Sequence, residues 1–407
     1  MGRSQVYKTR CKIFGQDLFL GPYIVKRPDP CVMTSNTMLP AVEHVPIATP
    51  TGVLGQPVKT PKTPWWTPKR KAIVFLMFAS AAIAELMSGS SPPLEFFNPF
   101  SGFLLFVFYG CGVVLVRETA LRWNKGYATI LLLGAAFGIL EEGLSVKSWL
   151  DPGWMDLGTL GWYGRFWGIN WVWAVWLTIY HAVCSITIPI IITDMIFPQF
   201  KGVRLTDDIG WKSYQGFFLA GSSIYLFVFL FLTPYRPPVP QFWVVSSLMV
   251  LAIFLAYMVP SPLFKANLGR PTWSPAKFFA LGSFFMFFSF LGFGSGLGSI
   301  PFLPVLVVCA VDLFVLVLLI THFGTERNNR HLVAFMAGCE SPFIFVGFIF
   351  EFFSVGFLGM SVVSLGAIMW FVWLYKRAEK VDRNGLPTNN SSSVPARIKA
   401  ALAAIKL

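Results

Sequence analysis

Ten apolar segments, each close to 20 residues long, recur along the chain and constrain its fold more than any other feature. About 20 apolar residues in a helix cross the hydrocarbon core of a bilayer. Composition agrees, because 55% of the residues are hydrophobic, 13% are charged and the mean hydropathy is +0.64. Alternating strands of the outer-membrane barrel type are not seen. The sequence therefore predicts an all-α fold, a polytopic transmembrane helical bundle with about ten transmembrane helices, in a cell membrane. The predicted segments are 72–89, 98–116, 127–149, 172–197, 213–233, 242–260, 276–294, 301–322, 331–350 and 354–375.

The loops between these segments alternate in their content of Lys and Arg. The basic set comprises Lys69 to Lys71, Arg117, Arg122, Lys125, Lys201, Arg204, Lys212, Lys265, Arg270, Lys277, Arg327, Arg330, Lys376, Arg377 and Lys380. The intervening loops hold only Lys147, Arg165 and Arg236. By the positive-inside rule this alternation predicts that both termini are cytoplasmic. Topology accounts for the net charge of +13, so the bilayer is the expected partner and nucleic acid is not.

Composition divides the chain into three parts. Residues 1–70 are polar and interrupted by Pro, which predicts a disordered cytoplasmic tail; residues 71–376 form the transmembrane domain. Residues 377–407 form a second cytoplasmic tail, whose end at 396–407 fits either a short amphipathic helix on the inner leaflet or a frayed terminus. The Trp-rich stretch from Trp149 to Trp167 is too irregular to span, and is expected to lie at the outer interface or to fold back as a lid.

Ionisable residues inside the apolar segments are the best indication of function, because a charge in hydrocarbon is costly unless it is paired, protonated or hydrated. These residues are Glu85, Glu141, Glu142, His181, Asp312 and Glu340. With a rise of about 1.5 Å per residue, Glu142 and His181 both lie roughly 10 Å below the outer surface and can meet. Glu85 and Glu340 can reach the same layer.

A row of small residues directs one of these acids into the bundle. Gly134, Gly138 and Glu142 follow one another at intervals of four, on one face of the third segment. Glycine rows allow helices to approach closely, which predicts that Glu142 faces a neighbouring helix. The alternative is a simple packing seam that ends in a solvated acid.

The pair Glu141-Glu142, the basic Lys147 that follows, and His181 on the next helix resemble the CAAX prenyl protease and abortive-infection family of intramembrane metal-dependent peptidases. The resemblance covers about residues 110–200. It implies that Glu141, Glu142 and His181 are catalytic, that Glu142 and His181 are metal ligands, and that the cofactor is a divalent metal such as zinc. The pattern departs from the family in two places, because Lys147 stands one residue late and Leu177 replaces an aromatic residue.

A third motif of that family, a histidine followed four residues later by Asn or Asp, has no good counterpart. His322 precedes Glu326 at the cytoplasmic end of its helix, and His331 precedes Phe335.

Three functions remain open at this stage. The first is a peptidase-like hydrolase that acts on a membrane peptide. The second is a secondary transporter coupled to protons or ions, in which Glu85, Glu142, Asp312 and Glu340 carry the ion or a small molecule. The third is a non-catalytic membrane scaffold. No nucleotide-binding motif is present.

Overall fold

The computed structural model describes residues 10–13, 16–19, 66–154, 157, 161, 164–260, 269–294 and 302–384. It divides into two units, residues 1–62 and 63–407. The described part of the first unit is an antiparallel hairpin of β1 (Arg10–Ile13) and β2 (Gln16–Phe19), in a segment for which the sequence predicts disorder. The rest of that predicted tail up to residue 65, and the predicted amphipathic helix at 396–407, lie outside the described residues.

The first half of the second unit contains helices interrupted by π-helical turns. Its elements are α1 (Pro68–Ala81), π1 (Ala82–Leu86), α2 (Pro93–Phe96), α3 (Pro99–Arg122), α4 (Tyr127–Gly138), π2 (Ile139–Ser145), β3 (Arg165–Phe166), β4 (Ile169–Asn170), α5 (Trp171–Tyr180), π3 (His181–Thr187) and α6 (Ile188–Ile196). Each π turn continues the helix before it. Local signals fix several starts: Thr67 and Asn98 accept hydrogen bonds from the first turns of α1 and α3, and Pro is the first residue of both helices.

The second half consists of long helices. They are α7 (Asp208–Leu232), α8 (Val239–Met258), α9 (Pro275–Gly294), α10 (Leu303–His322), α11 (Asn329–Phe353) and α12 (Met360–Asn384). Two 3₁₀ turns, Pro198–Phe200 and Val355–Phe357, precede α7 and α12.

Eight helical stretches among the described residues are long and apolar enough to cross a membrane. They are Pro99–Arg122, Tyr127–Ser145, Trp171–Ile196, Asp208–Phe231, Val239–Met258, Leu303–His322, Asn329–Phe353 and Val355–Asn384. The other two predicted segments are also helical: α9 contributes a shorter apolar stretch, Pro275–Ser289, and α1 continues into π1. All ten predicted segments overlap helices, but their ends differ by up to nine residues, as at 354–375 against α12 (Met360–Asn384). The described spans of full length number eight and not ten.

The basic loops meet at one end of the bundle. Lys69 Nζ donates to the Arg204 carbonyl at 3.3 Å, and Arg377 Nη2 donates to the Ile196 carbonyl at 3.2 Å. Lys125 Nζ donates to the Val259 carbonyl at 2.5 Å. These contacts join the start of α1 to the turn before α7, α12 to the end of α6, and the loop between α3 and α4 to the end of α8.

Buried apolar side chains form two clusters, one centred on α3 and α4 and the other on α9, α11 and α12. α1 with π1, and the helix of α5, π3 and α6, contribute to both clusters. Glu85 and His181 lie on these shared helices and Glu141 and Glu142 on π2, whereas Asp312 and Glu340 lie on α10 and α11.

The described part of the segment between π2 and α5 folds back onto the bundle. Trp149 and Leu150 are buried, and Arg165 donates to the carbonyls of Leu150 at 2.8 Å and Gly168 at 2.7 Å. The Asn170 amide donates to the Trp149 carbonyl at 2.9 Å. Backbone acceptors of an irregular segment are thus satisfied by an arginine, as burial away from water requires.

Candidate site of glutamates and histidine

Three π-helical turns carry the central candidate residues. Glu85 lies in π1, Glu141 and Glu142 lie in π2, and His181 lies in π3. A π turn accommodates one extra residue, so it turns the side chains that follow by about 100° relative to a continuous α-helix. Such turns are found mostly as single bulges at functional sites. Here three of them face one another.

His181 contacts both members of the glutamate pair. Its Nδ1 lies 3.4 Å from Glu141 Oε2, and its Nε2 lies 3.4 Å from Glu142 Oε1. One ligand atom from each of the three residues lies within 4.8 Å of the other two. Among the described residues this is the only group of three or more His, Cys, Asp or Glu side chains with such spacing.

The Glu141 carboxylate is poorly satisfied for a buried group. The residue is 1% exposed, and its Oε2 atom has no hydrogen-bond partner within the described part of the chain. A buried oxygen without a donor is costly. The orphaned oxygen faces His181, so a cation at this position fits both the charge and the donor set of two carboxylates and one imidazole.

Tyr109 of α3 joins Glu85 to this group. Its hydroxyl makes short hydrogen-bond contacts with Glu85 Oε1 and with Glu141 Oε1. Ser91 donates to the other Glu85 oxygen at 2.8 Å. One phenol carries one proton, so two hydrogen bonds to two carboxyl groups require a second proton on Glu85 or Glu141. The three residues therefore form a continuous proton-sharing chain.

A hydrogen-bonded support holds Glu142 from the other side. Ser148 Oγ donates to Glu142 Oε2 at 2.5 Å, and Trp173 Nε1 donates to Ser148 Oγ at 3.1 Å. Asn170 in turn caps α5 through the Trp173 amide at 3.1 Å. The side chain of Glu142 is 16% exposed and that of His181 is 3% exposed, so Glu142 is the more accessible of the two.

Ser185 orients the histidine ring. Its Oγ lies 2.9 Å from His181 Nδ1, one helical turn along π3. If the serine oxygen accepts the Nδ1 proton, Nε2 carries a lone pair that points toward Glu142. This is the tautomer that a metal ligand or a proton acceptor at Nε2 needs.

The predicted glycine row is the reason the two helices come so close. A Cβ built on Gly134 would lie 2.9 Å from Ala182 Cα, and one on Gly138 would lie 2.8 Å from His181 Cβ. Such approaches are possible only without side chains at these positions. The row therefore sets the separation between Glu142 and His181.

Gly138→Ala is expected to displace His181 and to weaken its contacts with the glutamate pair. The added methyl group would lie only 2.8 Å from His181 Cβ. Because that distance is too short for two carbon atoms, we expect the free energy of unfolding to fall by about 1–3 kcal/mol. Thermal unfolding of the purified protein measures this. Gly216→Ala in α7 is the matched control, because a Cβ there meets nothing within 4 Å; we expect it to be neutral or slightly stabilising. An equal loss in both variants would contradict the close-approach explanation.

The remaining predicted residues lie apart from this group. Glu340 of α11 is fully buried, and neither carboxylate oxygen has a hydrogen-bond partner among the described residues. Its electrostatic neighbours include Cys184 and Cys339, not the glutamate pair. Asp312 of α10 lies between helices, 3.4 Å from Ser289 Oγ. Glu85 and Glu340 were the two acids expected at the depth of Glu142. Of these, only Glu85 is linked to the group, through the Tyr109 hydroxyl.

Lys147, the basic residue of the motif resemblance, points elsewhere. Its Nζ donates to the Phe229 carbonyl at 3.2 Å and to Thr233 Oγ1 at 3.1 Å, at the end of α7. Burial lowers the pKa of Lys147. A cation at a helix C-terminus is favourable, so the residue ties the segment after π2 to α7.

Neither alternative histidine of the resemblance reaches the site. His322 stacks on Trp273 at 4.1 Å between ring centroids, and His331 contacts the edge of Phe278 at 5.6 Å. Both lie near the end of the bundle where α9 and α11 begin.

Sequence reasoning missed Tyr109, Ser148 and Ser185. Tyr109 lies in an aromatic-rich helix, where nothing distinguishes it from the Phe residues around it. Ser185 carried a weak signal, since it lies four residues after His181 on the same helix face.

Comparison with protein families matches residues 74–376 to a family described as an uncharacterized membrane protein family. The CAAX prenyl protease family gives no match. Neither the curated proteins nor the solved structures contain a match. The matched region reaches from within α1 to within α12 and covers all the helices between them. The chain is therefore a multi-pass integral membrane protein that belongs to this uncharacterized membrane protein family.

Proposed function

We propose that the protein is an intramembrane hydrolase of the peptidase type that uses Glu141, Glu142 and His181 to activate water. The observation that carries the proposal is the convergence of these three side chains within 4.8 Å inside an apolar bundle. Three ionisable groups are costly to bury together. A reaction that needs them explains why the bundle keeps them, and a membrane peptide is the substrate class that reaches this depth.

The side chains have distinct roles in this proposal. Glu142 is the most exposed of the three, so in a metal-free site it takes the proton from the attacking water. In the tautomer in which Ser185 donates to Nδ1, His181 carries its proton on Nε2 and can stabilise the negative charge that develops on the carbonyl oxygen. Glu141 is held by Tyr109 and fixes His181 from the Nδ1 side. The chain through Tyr109 to Glu85 supplies a proton to the leaving amine.

The donor set fits a divalent metal such as zinc. Two carboxylates and one imidazole leave a fourth position open, which is the pattern of catalytic zinc sites. When bound, such an ion supplies an activated water and polarises a carbonyl group. Glu142 and His181 would hold it, with Glu141 as the third ligand through its orphaned Oε2 atom.

Elemental analysis of the detergent-purified protein tests this assignment. We expect a near-stoichiometric divalent metal in the wild type and its loss in both Glu142→Gln and His181→Ala. Asp312→Asn is the matched control, because it removes a partly buried acid outside the group and leaves the metal in place. Metal retained in all variants would place the ion elsewhere, and no metal in the wild type would exclude the metal-dependent form.

A proton-coupled transporter is the second candidate, and the chain from Ser91 through Glu85 and Tyr109 to Glu141 favours it. Linked carboxyl groups can pass a proton between helices. Proteoliposomes distinguish the two functions: substrate-dependent acidification that Glu85→Gln abolishes would favour transport, whereas cleavage of peptides without proton movement would favour the hydrolase.

We also propose that ten helices cross the membrane and that both termini are cytoplasmic. The alternation of basic loops supports the orientation, and helices α1 with π1 and α9 supply the two spans beyond the eight of full length.

Cysteine labelling at the start of α7 and at the start of α8 tests the orientation of α7. In a Cys11→Ser, Cys31→Ser background, we expect an impermeant thiol reagent to label Lys212→Cys only from the cytoplasmic side. Val239→Cys, 67% exposed in the wild type at the start of α8, is expected to react only from the outside. The reverse result would invert the topology, and reaction of both from one side would mean that α7 does not cross.

A further inference from the structure

A cavity with several charged residues in its lining lies at the end of the bundle that carries the basic loops. It has a volume of about 170 Å³ and lies between the end of α3, the start of α4, the end of α6 and the turn before α7. Its charged lining consists of Arg117, Lys125, Lys201 and Asp194. Three cations and one carboxylate leave the lining with a surplus of two positive charges. This cavity is separate from the glutamate and histidine group.

Arg117 forms the fixed floor of the cavity. The residue is 2% exposed, and its Nη2 atom donates to the Phe200 carbonyl at 2.6 Å and to Asp194 at 3.1 Å. Its Nη1 atom donates to the Val203 carbonyl at 3.1 Å and lies 3.4 Å from Glu118. The Nε atom is buried and has no hydrogen-bond partner among the described residues. A preorganised guanidinium with one donor to spare is suited to an oxyanion.

The N-terminus of α4 lines the same cavity. Gly126 is its N-cap and offers no side-chain hydrogen bond, and the amides of Tyr127 and Ala128 make none among the described residues. A Cβ at Gly126 or Gly202 would meet nothing within 4 Å, so both positions are open. Free amides and the helix dipole at such an end attract negative charge.

The two lysines supply charge that no described carboxylate neutralises by contact. Lys125 Nζ donates to the Val259 carbonyl at 2.5 Å, and Lys201 is exposed at the rim without a described hydrogen bond. Glu118, the other nearby acid, is held by the Leu205 amide at 2.8 Å and by Thr206 Oγ1 at 2.8 Å. The apolar part of the wall consists of Leu121, Ile130 and Ile190.

We propose that this cavity binds a phosphate group. A fixed guanidinium, lysine ammonium groups and free helix amides are the donors that recognise phosphate oxygens. Two sources share that chemistry, the headgroup of an anionic phospholipid and inorganic phosphate. The cavity lies where headgroups of the leaflet beside the basic loops would lie, and basic pockets between helices on that side bind anionic lipids.

Native mass spectrometry of the full-length protein in detergent tests the proposal with three probes: phosphatidylglycerol, phosphatidylcholine and inorganic phosphate. We expect phosphatidylglycerol to bind at least about tenfold more tightly than phosphatidylcholine, which corresponds to one charge-assisted contact. Lys201→Gln and Lys125→Gln should each reduce that preference several-fold. Lys212→Gln is the matched control, because this exposed lysine at the start of α7 does not line the cavity.

Each outcome decides the proposal. A preference for phosphatidylglycerol that only the cavity variants weaken supports a lipid headgroup as the source, and binding of inorganic phosphate with the same dependence supports free phosphate. Equal binding of both lipids without phosphate binding overturns the proposal, as does an equal effect of Lys212→Gln. Because peptide cleavage is not measured, failure of the hydrolase assignment leaves this test unaffected.

Discussion

Glu142→Gln is expected to lower the rate of peptide hydrolysis by roughly 1,000-fold. Glutamine keeps the size of the side chain and the contact with Ser148 Oγ, but it cannot accept a proton from water. The neutral amide also interacts more weakly than the native carboxylate with His181 Nε2, which lies 3.4 Å from that carboxylate. The loss should therefore appear in the rate constant more than in substrate binding.

Synthetic single-span peptides in mixed micelles, with products identified by mass spectrometry, measure this rate. Glu379→Gln is the matched control, because Glu379 of α12 pairs with the exposed Arg383 at 2.8 Å and contributes nothing to the group around His181. We expect the control to cleave at the wild-type rate. Full activity of Glu142→Gln would eliminate this residue as the general base.

Tyr109→Phe is expected to destabilise the bundle and also to slow the reaction. The substitution removes the one hydroxyl that contacts both Glu85 and Glu141 while keeping the ring that packs on Phe108 and Phe137. Each buried carboxyl group left without its partner costs about 1–3 kcal/mol. Glu85 and Glu141 then lie on either side of the space left by the hydroxyl, and they repel each other if both are ionised.

Thermal unfolding in detergent compares this variant with Tyr225→Phe. Tyr225 is buried in the same region and stacks on Phe108, but its hydroxyl makes no hydrogen bond among the described residues. We expect a clear fall in the unfolding midpoint for Tyr109→Phe and little change for Tyr225→Phe. Restoration of stability by adding Glu85→Gln to Tyr109→Phe would identify repulsion between the acids as the cause. Equal midpoints for the two single variants would refute the bridging role.

Much of the fold was predictable because a bilayer leaves few choices. A segment such as 303–322 is almost purely apolar, and only a helix satisfies its backbone in hydrocarbon. The approximate positions of the segments followed from apolar length, and the pairing of loops at one end followed from the distribution of Lys and Arg. For the first segment, length and composition predicted one continuous helix, whereas the structure has helix α1 followed by π1.

The site was predictable only in its central pair. Gly134 and Gly138 placed Glu142 on a face that packs closely on another helix, and depth counted along the helices brought His181 to the same level. Glu340 lies beside Cys184, three residues after His181, and does not contact the pair, because depth counted along a helix carries no information about which side chains face one another.

What the sequence determined by itself was the all-α membrane bundle and the approximate position of each helix along the chain, since these depend on apolar length. Only the tertiary structure decided which charges meet. The π turns at Glu85, Glu141 and His181 rotate these side chains away from the directions that regular helical periodicity assigns. The hydroxyl of Tyr109 becomes a bridge only because α3 packs between the helices that carry Glu85 and Glu141. Such neighbour relations arise from the packing of all helices together, and no local pattern of residues encodes them.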